Sequence, residues 1–121
     1  DALGDMIPTS KLTEYLEDKV IQIAPLGFMR GRTLDNAFVI LDEAQNTTEA
    51  QLKMFLTRMG KSAKFIVTGD ITQVDLPKHQ KSGLKLALDL FKNQKDISIV
   101  NLNEEDVVRH PLVKKIIKVF N

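Results

Sequence analysis

Phe38-Val39-Ile40-Leu41-Asp42-Glu43-Ala44-Gln45 runs an unbroken apolar stretch straight into two carboxylates. Together with Ala37, its apolar residues show no polar alternation, the pattern of a strand buried on both faces. The pattern recurs outward from it. Val20 to Ala24 reads as a short strand ended by Pro25, Lys64 to Thr68 as a third strand and Ile97 to Leu102 as a fourth. Helical patterns lie between. Ser10 is placed to cap a helix through about Lys19, with Leu12, Tyr15 and Leu16 on one face. Thr48 starts the next helix, with Gln51 as its capping-box partner. Leu52, Phe55, Leu56 and Met59 form that helix's buried stripe, and Gly60 stops it. Another helix runs from about Gly83 to Lys92, carrying Leu84, Ala87, Leu88 and Phe91. Asn103 can cap a last helical region, in which Pro111 suits the start of a turn. There Leu112, Val113, Ile116, Ile117 and Phe120 are expected to bury, with Lys114, Lys115 and Lys118 towards solvent. Strands separated by amphipathic helices imply a parallel sheet with helices on both faces, and the class is α/β.

Composition narrows the chemistry. With 121 residues, 43% of them hydrophobic and 27% charged, the chain is about one domain long. No apolar run approaches the roughly 20 residues that span a bilayer, and no secretory signal opens the chain, so no membrane role is expected. The absence of cysteine excludes disulfides, thiolate metal sites and a thiol nucleophile, and fits a reducing cytoplasm. Seventeen basic and sixteen acidic residues leave a net charge of +1, so any nucleic-acid binding must rest on a local patch.

Ligands of open parallel sheets bind beyond the carboxyl ends of the strands. One strand ends in Asp42-Glu43-Ala44-Gln45-Asn46, and the next in Thr68-Gly69-Asp70-Ile71-Thr72-Gln73. Four apolar residues followed by two acids is the Walker B arrangement. A rigid strand holds the first carboxylate to position magnesium, and the second can orient or deprotonate the attacking water. Acids are common at helix starts, so this pair alone is a weak signal. Gly-Asp-x-x-Gln after the neighbouring strand adds a tight turn, an acid, and an amide able to touch a phosphate oxygen or the hydrolytic water. Two such strand ends, one helix apart, reinforce each other.

Asp42-Glu43-Ala44-Gln45 followed by Gly69-Asp70-x-x-Gln73 resembles motifs II and III of superfamily one helicases. The longer match is to the PhoH family. Met29-Arg30-Gly31-Arg32-Thr33-Leu34, Ile40 to Thr48, Thr68 to Pro77, and Asp106-Val107-Val108-Arg109-His110-Pro111-Leu112-Val113 all resemble it. The wording of Gly69 to Pro77 is nearer the YbeZ-like branch than the branch fused to a PIN nuclease domain. This resemblance implies a cytoplasmic, ring-forming ATPase with a RecA-like P-loop core of three layers, linked to RNA metabolism and using ATP and Mg²⁺. It further implies that Asp42 serves Mg²⁺, Glu43 the water, Gln73 the γ-phosphate and Asp70 the support of the site. Gln45, within the same motif, belongs with the cofactor-binding residues. The YbeZ-like branch also suggests a YbeY-type endoribonuclease as partner.

One departure matters. The family's Walker A loop, Gly-x-x-x-x-Gly-Lys-Ser/Thr, is missing: glycines stand at 4, 27, 31, 60, 69 and 83 and never take that spacing. Lys61-Ser62 follows Gly60, but the position where the first glycine belongs is Phe55. The phosphate-cradling backbone and its lysine are therefore not in this chain. The expectation is a fragment, residues 1–121 being the C-terminal part of the ATPase domain without its first strand and Walker A loop. Arg30, Arg32 and Arg109 are candidates to serve nucleotide or RNA phosphates, since a planar guanidinium suits them better than lysine does. The plainer account pairs each with a surface carboxylate such as Glu104 or Asp106. His79 and His110 read as a loop residue and a helix-start residue rather than ligands. Lys78, Lys81 and Lys85 read as a solvated face, and Phe28 as a loop anchor. A different class of function stays open: a non-catalytic assembly or RNA-binding unit that keeps a relic nucleotide site.

Overall fold

Two short helices open the chain, α1 (Ala2–Met6) and α2 (Thr9–Glu17). The structure, a computed structural model, describes residues 2–120. The chain divides into two compact units, Asp1–Leu86 and Ala87–Asn121. Pro8 takes the N-cap position of α2, its carbonyl accepting from Leu12 N at 3.0 Å, so Ser10 lies inside the first turn instead of capping it. Proline has no side-chain acceptor, so α2 starts without a side-chain cap. At the other end Lys19 takes a left-handed φ of 59°, and Ile21 N returns to Tyr15 O at 3.0 Å. That turn carries Val20 to Ala24 away as coil, and the strand expected there does not form.

β1 (Phe38–Leu41), α3 (Glu49–Leu56) and β2 (Lys64–Val67) make a parallel crossover unit. The strands pair from Phe38 opposite Lys64 to Leu41 opposite Val67, a two-stranded sheet among the described residues. Thr48 caps α3 with the expected capping box: its hydroxyl oxygen accepts from Gln51 N at 3.2 Å, and Gln51 Oε1 accepts from Thr48 N at 2.9 Å. Leu52 and Phe55 are each 3% exposed, and the Phe55 ring meets Phe65 at 5.0 Å with the planes tilted by 46°. The helix ends before Gly60. Thr57 turns its hydroxyl onto Lys53 O at 2.9 Å and closes the last turn, which leaves Met59 exposed. Beyond it Leu34 N donates to Arg58 O at 2.7 Å and Ser62 N to Asp35 Oδ1 at 2.6 Å, lashing the loop that follows Arg32 to the connection into β2.

The sheet is covered on one face only. Val39, Leu41, Phe65 and Val67 are half-buried, whereas Phe38 is 77% and Ile40 65% exposed. Helices on both faces, as the unalternating apolar runs suggested, are therefore not seen in this unit: with a single crossover helix, alternate residues of each strand have nothing to pack against. α4 (Gly83–Phe91) begins against the N-terminus of α3. Gly83 N donates to Thr47 O at 2.7 Å, and Thr48 bridges Ser82. A Cβ on Gly83 would stand 2.6 Å from the Thr48 carbonyl oxygen and 3.0 Å from Glu49 Cα, so the approach of two backbones requires glycine here. Leu84, Ala87, Leu88 and Phe91 are all half-buried, as their spacing predicts.

In the second unit Ile97 to Leu102 is coil, a correction to the fourth strand. Apolar composition makes a strand only when a neighbour takes up its backbone groups, and here Ile97 N closes a turn on Gln94 O at 3.3 Å. Asn103 does cap a helical turn, Glu104–Asp106, with Asp106 Oδ2 accepting from Asn103 N at 2.8 Å. α5 (Pro111–Phe120) starts on Pro111 as expected, but Leu112, Val113, Ile116 and Phe120 stay exposed and only Ile117 is half-buried. Among the described residues no helix is long and apolar enough to cross a membrane.

Candidate functional site

The carboxyl ends of β1 and β2 lie side by side, and hydrogen bonds tie one to the other. Thr68 N donates to Leu41 O at 2.9 Å, and Ala44 N donates to Thr68 O at 2.9 Å, which continues the ladder past both strands. Asp42 is exposed at the end of β1. Its Oδ1 accepts from the Thr68 hydroxyl at 2.8 Å and from Glu43 N at 2.9 Å. Both bonds fall on one oxygen, so the second is the one turned to other partners.

Glu43 sits in the left-handed region, at φ 53° and ψ 38°. A non-glycine residue there costs on the order of 1–2 kcal/mol, a strain the surroundings must hold. Immediately after it the chain enters a 3₁₀ turn, Ala44–Asn46, closed by Asn46 N on Glu43 O at 3.1 Å and by the Thr47 hydroxyl on Ala44 O at 2.6 Å. Gln45 is 1% exposed. Its Nε2 donates to Glu43 Oε2, and its Oε1 accepts from Asp70 N at 3.1 Å. Gly69 leaves room for this amide: a Cβ there would stand 2.8 Å from Gln45 Oε1 and 2.6 Å from a Leu84 methyl.

The second strand end forms a compact acid turn. Asp70 Oδ1 accepts from Thr72 N at 2.9 Å and from the Thr72 hydroxyl at 2.6 Å, while Oδ2 accepts from Gln73 Nε2 at 3.0 Å. Farther along, Asn46 Oδ1 accepts from Asp75 N at 2.8 Å and fastens the loop beyond Gln73 to the first strand end. The Thr72 hydroxyl, then its backbone amide, then the Gln73 amide stabilise the ionised form and hold the Asp70 carboxyl below its ordinary 3.8. A depressed pKa contributes stability that is complete above the ordinary value and is lost as pH falls through the folded one. The Thr72 amide proton is therefore expected to shift on acidification with a midpoint below 3.8. A Thr72 midpoint at or above 3.8 in an NMR pH titration would contradict the turn as drawn.

Asp42, Glu43, Gln45, Asp70 and Gln73 are thus brought together. The hydrogen bonds that join them include neither Arg30 nor Arg32. Arg30 follows a 3₁₀ turn, Leu26–Met29, Arg32 N closes on Met29 O at 3.1 Å, and both side chains are exposed. Arg109 belongs to the second unit, exposed between the Glu104–Asp106 turn and α5. His110 Nδ1 accepts from Leu112 N at 3.1 Å, the work of a helix-start residue. Among the described residues no cluster of three or more His, Cys, Asp or Glu could hold a metal ion by itself. Sequence reasoning passed over Thr68, Asn46 and Thr72 as contributors to the site. A hydroxyl at a strand end beside an acidic neighbour was the available signal for the first.

A profile of the family described as PhoH-like protein matches residues 1–121. This chain belongs to the PhoH-like family. It is 55% identical over 121 residues to a PhoH-like protein of Bacillus subtilis, covering 100% of the chain and 38% of that protein. A Synechocystis PhoH-like protein is 56% identical over 120 residues, covering 99% of the chain and 37% of that protein. Protein PhoH of Escherichia coli is 50% identical over 101 residues, 84% of the chain and 28% of that protein. The PhoH-like segment therefore spans well under half the length of these relatives.

Proposed function

We propose that this PhoH-like chain forms the magnesium and water side of an ATP-hydrolysing site within a RecA-like, three-layer P-loop core. One observation carries the reading: Asp42-Glu43 and Thr68-Gly69-Asp70-Gln73 meet, hydrogen-bonded, at the carboxyl ends of adjacent parallel strands. That is where open α/β sheets place ligands. The donor set fits Mg²⁺ delivered with a nucleotide, since such a site takes one or two carboxylates and draws its other oxygens from phosphates and water. Asp42 would hold it through the carboxylate oxygen not already bonded to Thr68. The bound ion would neutralise charge developing on the transferred phosphoryl group. Glu43 accepts a proton from the attacking water, Gln73 touches the γ-phosphate, and Asp70 holds Gln73 in place. The phosphate cradle comes from outside these residues, because no stretch of the chain has its spacing.

Arg30, Arg32 and Arg109 serve phosphates in this reading, of nucleotide or of RNA, in some cases across a subunit boundary. A ring assembly, a cytoplasmic setting, a role in RNA metabolism and a YbeY-type endoribonuclease partner extend the same proposal, supported by the family resemblance. The missing cradle favours one competing reading, a non-catalytic assembly or RNA-binding unit with a relic site. Phosphate release from ATP by the full-length protein separates the two. Turnover is expected with Mg²⁺ and is expected to vanish with a chelator. A folded protein that releases no phosphate under either condition would overturn the ATPase reading.

A further inference from the structure

We propose that Gln45 does not touch nucleotide but is the positioning residue that sets the Glu43 carboxylate in register with the Gly69–Gln73 turn. The proposal rests on the ATPase reading of Glu43. An amide taken out of water is costly unless both its ends are bonded. At 1% exposure Gln45 meets that condition through two partners alone, Glu43 Oε2 at one end and Asp70 N at the other. At that exposure the second N–H and the second lone pair are closed off from any ligand in solvent. Its partners are the acid from one strand end and the backbone of the turn that carries Gln73 from the other. The amide is a strut between them.

Two features show that the chain is built around this strut. Gly69 has no side chain where a Cβ would come within 2.8 Å of Gln45 Oε1 and 3.1 Å of Gln45 N, so any larger residue would push the amide aside. Glu43 is also in a left-handed backbone conformation, which directs its side chain by a strained route rather than by continuation of β1. A long, flexible carboxylate leaving such a backbone has several rotamers, and the Gln45 donor selects one. A movement of Asp70 and its turn is thereby passed to Glu43 through one rigid amide.

Two substitutions in the full-length protein separate the arms of the strut. Gln45→Glu keeps an oxygen facing Asp70 N but sets oxygen against oxygen at Glu43. Gln45→Met fills a similar volume and removes both bonds. Each is expected to lower kcat for ATP by about 10- to 100-fold while KM stays within about threefold, since a misplacement near 1 Å costs up to that much in rate. In a Glu43→Gln background neither is expected to lower the residual rate further, because residues acting as a unit are not additive. The amide of Asp70 should remain protected from hydrogen exchange in Gln45→Glu, so that variant still decides if Gln45→Met fails to fold. Parental kcat in Gln45→Glu, a raised KM at parental kcat, or a full additional loss in the Glu43→Gln background would each overturn the proposal. Parental turnover in Glu43→Gln alone would instead overturn the reading of Glu43 on which it stands.

Discussion

Glu43→Gln in the full-length protein is expected to reduce ATP turnover by about 10²–10⁴-fold, the range typical of a lost general base, while nucleotide binding persists. The geometry makes this a clean substitution. A glutamine at this position can turn its carbonyl oxygen towards Gln45 Nε2 and keep the hydrogen bond that Glu43 Oε2 now accepts. The backbone bond from this residue's N–H to Asp42 Oδ1, at 2.9 Å, does not depend on the side chain at all. What disappears is the basic oxygen. Asp42 and Thr68 keep their 2.8 Å contact, so the residue assigned to Mg²⁺ is unmoved. The measurement is paired: single-turnover hydrolysis for the chemical step and equilibrium binding of a fluorescent ATP analogue for the ground state. Retained turnover would refute the role of Glu43. Loss of binding alongside turnover would show that Glu43 holds nucleotide and is not chiefly the base.

The convergence of the candidate site was legible in the sequence, because its acids and glutamines sit immediately after apolar runs, and a strand end fixes where such residues must lie. Asp42, Glu43, Asp70 and Gln73 were named as candidates in that way. Thr68 and Asn46 were not, since their contributions are non-local. Thr68 bonds to Asp42 from 26 positions away, and Asn46 bonds to Asp75 from 29. No local pattern encodes such a pairing. Gln45 was recognised as part of a motif, but its burial goes with a bond from Asp70 N, 25 positions away, in the turn beyond β2. The left-handed Glu43 was equally invisible, since glutamate is not a residue that favours that backbone region.

The fold divided along a similar line. Several elements whose determinants are local came out as read, namely the Thr48–Gln51 box at α3, the stripe of α4 and the Asn103 cap, though the Ser10 cap of α2 did not. Elements that need a distant partner did not. Val20 to Ala24 and Ile97 to Leu102 have strand-like composition, but a ladder depends on what lies beside them. The same reason explains Phe38 and Ile40, whose apolar character asks for a cover that the first unit does not supply. Apolar periodicity states a demand for burial; topology decides whether the demand is met.

Phe55→Ala is expected to cost about 3–5 kcal/mol in urea unfolding of the full-length protein, with the slope unchanged and the midpoint lowered. The buried apolar core here is small: Ala44, Leu52 and Phe55 are its members among the described residues. Of these Phe55 is the largest, and it is the one whose ring reaches across to Phe65 on β2, at 5.0 Å. Truncation removes that contact and opens a void that α3 cannot close, because the helix is pinned at its start by the Thr48 cap and by the Gly83 N–H on Thr47 O. A cavity that cannot collapse lies at the costly end of the range. The consequence also reaches the chemistry. β2 positions Thr68 and Asp70, and a strand that loses its packing against α3 loosens the oxygen contacts on Asp42 and on Gln45. The variant should therefore lose kcat at temperatures where it is still mostly folded. A cost below 1 kcal/mol would show that the space behind Phe55 is filled by residues outside this unit, and that α3 is not the principal support of β2.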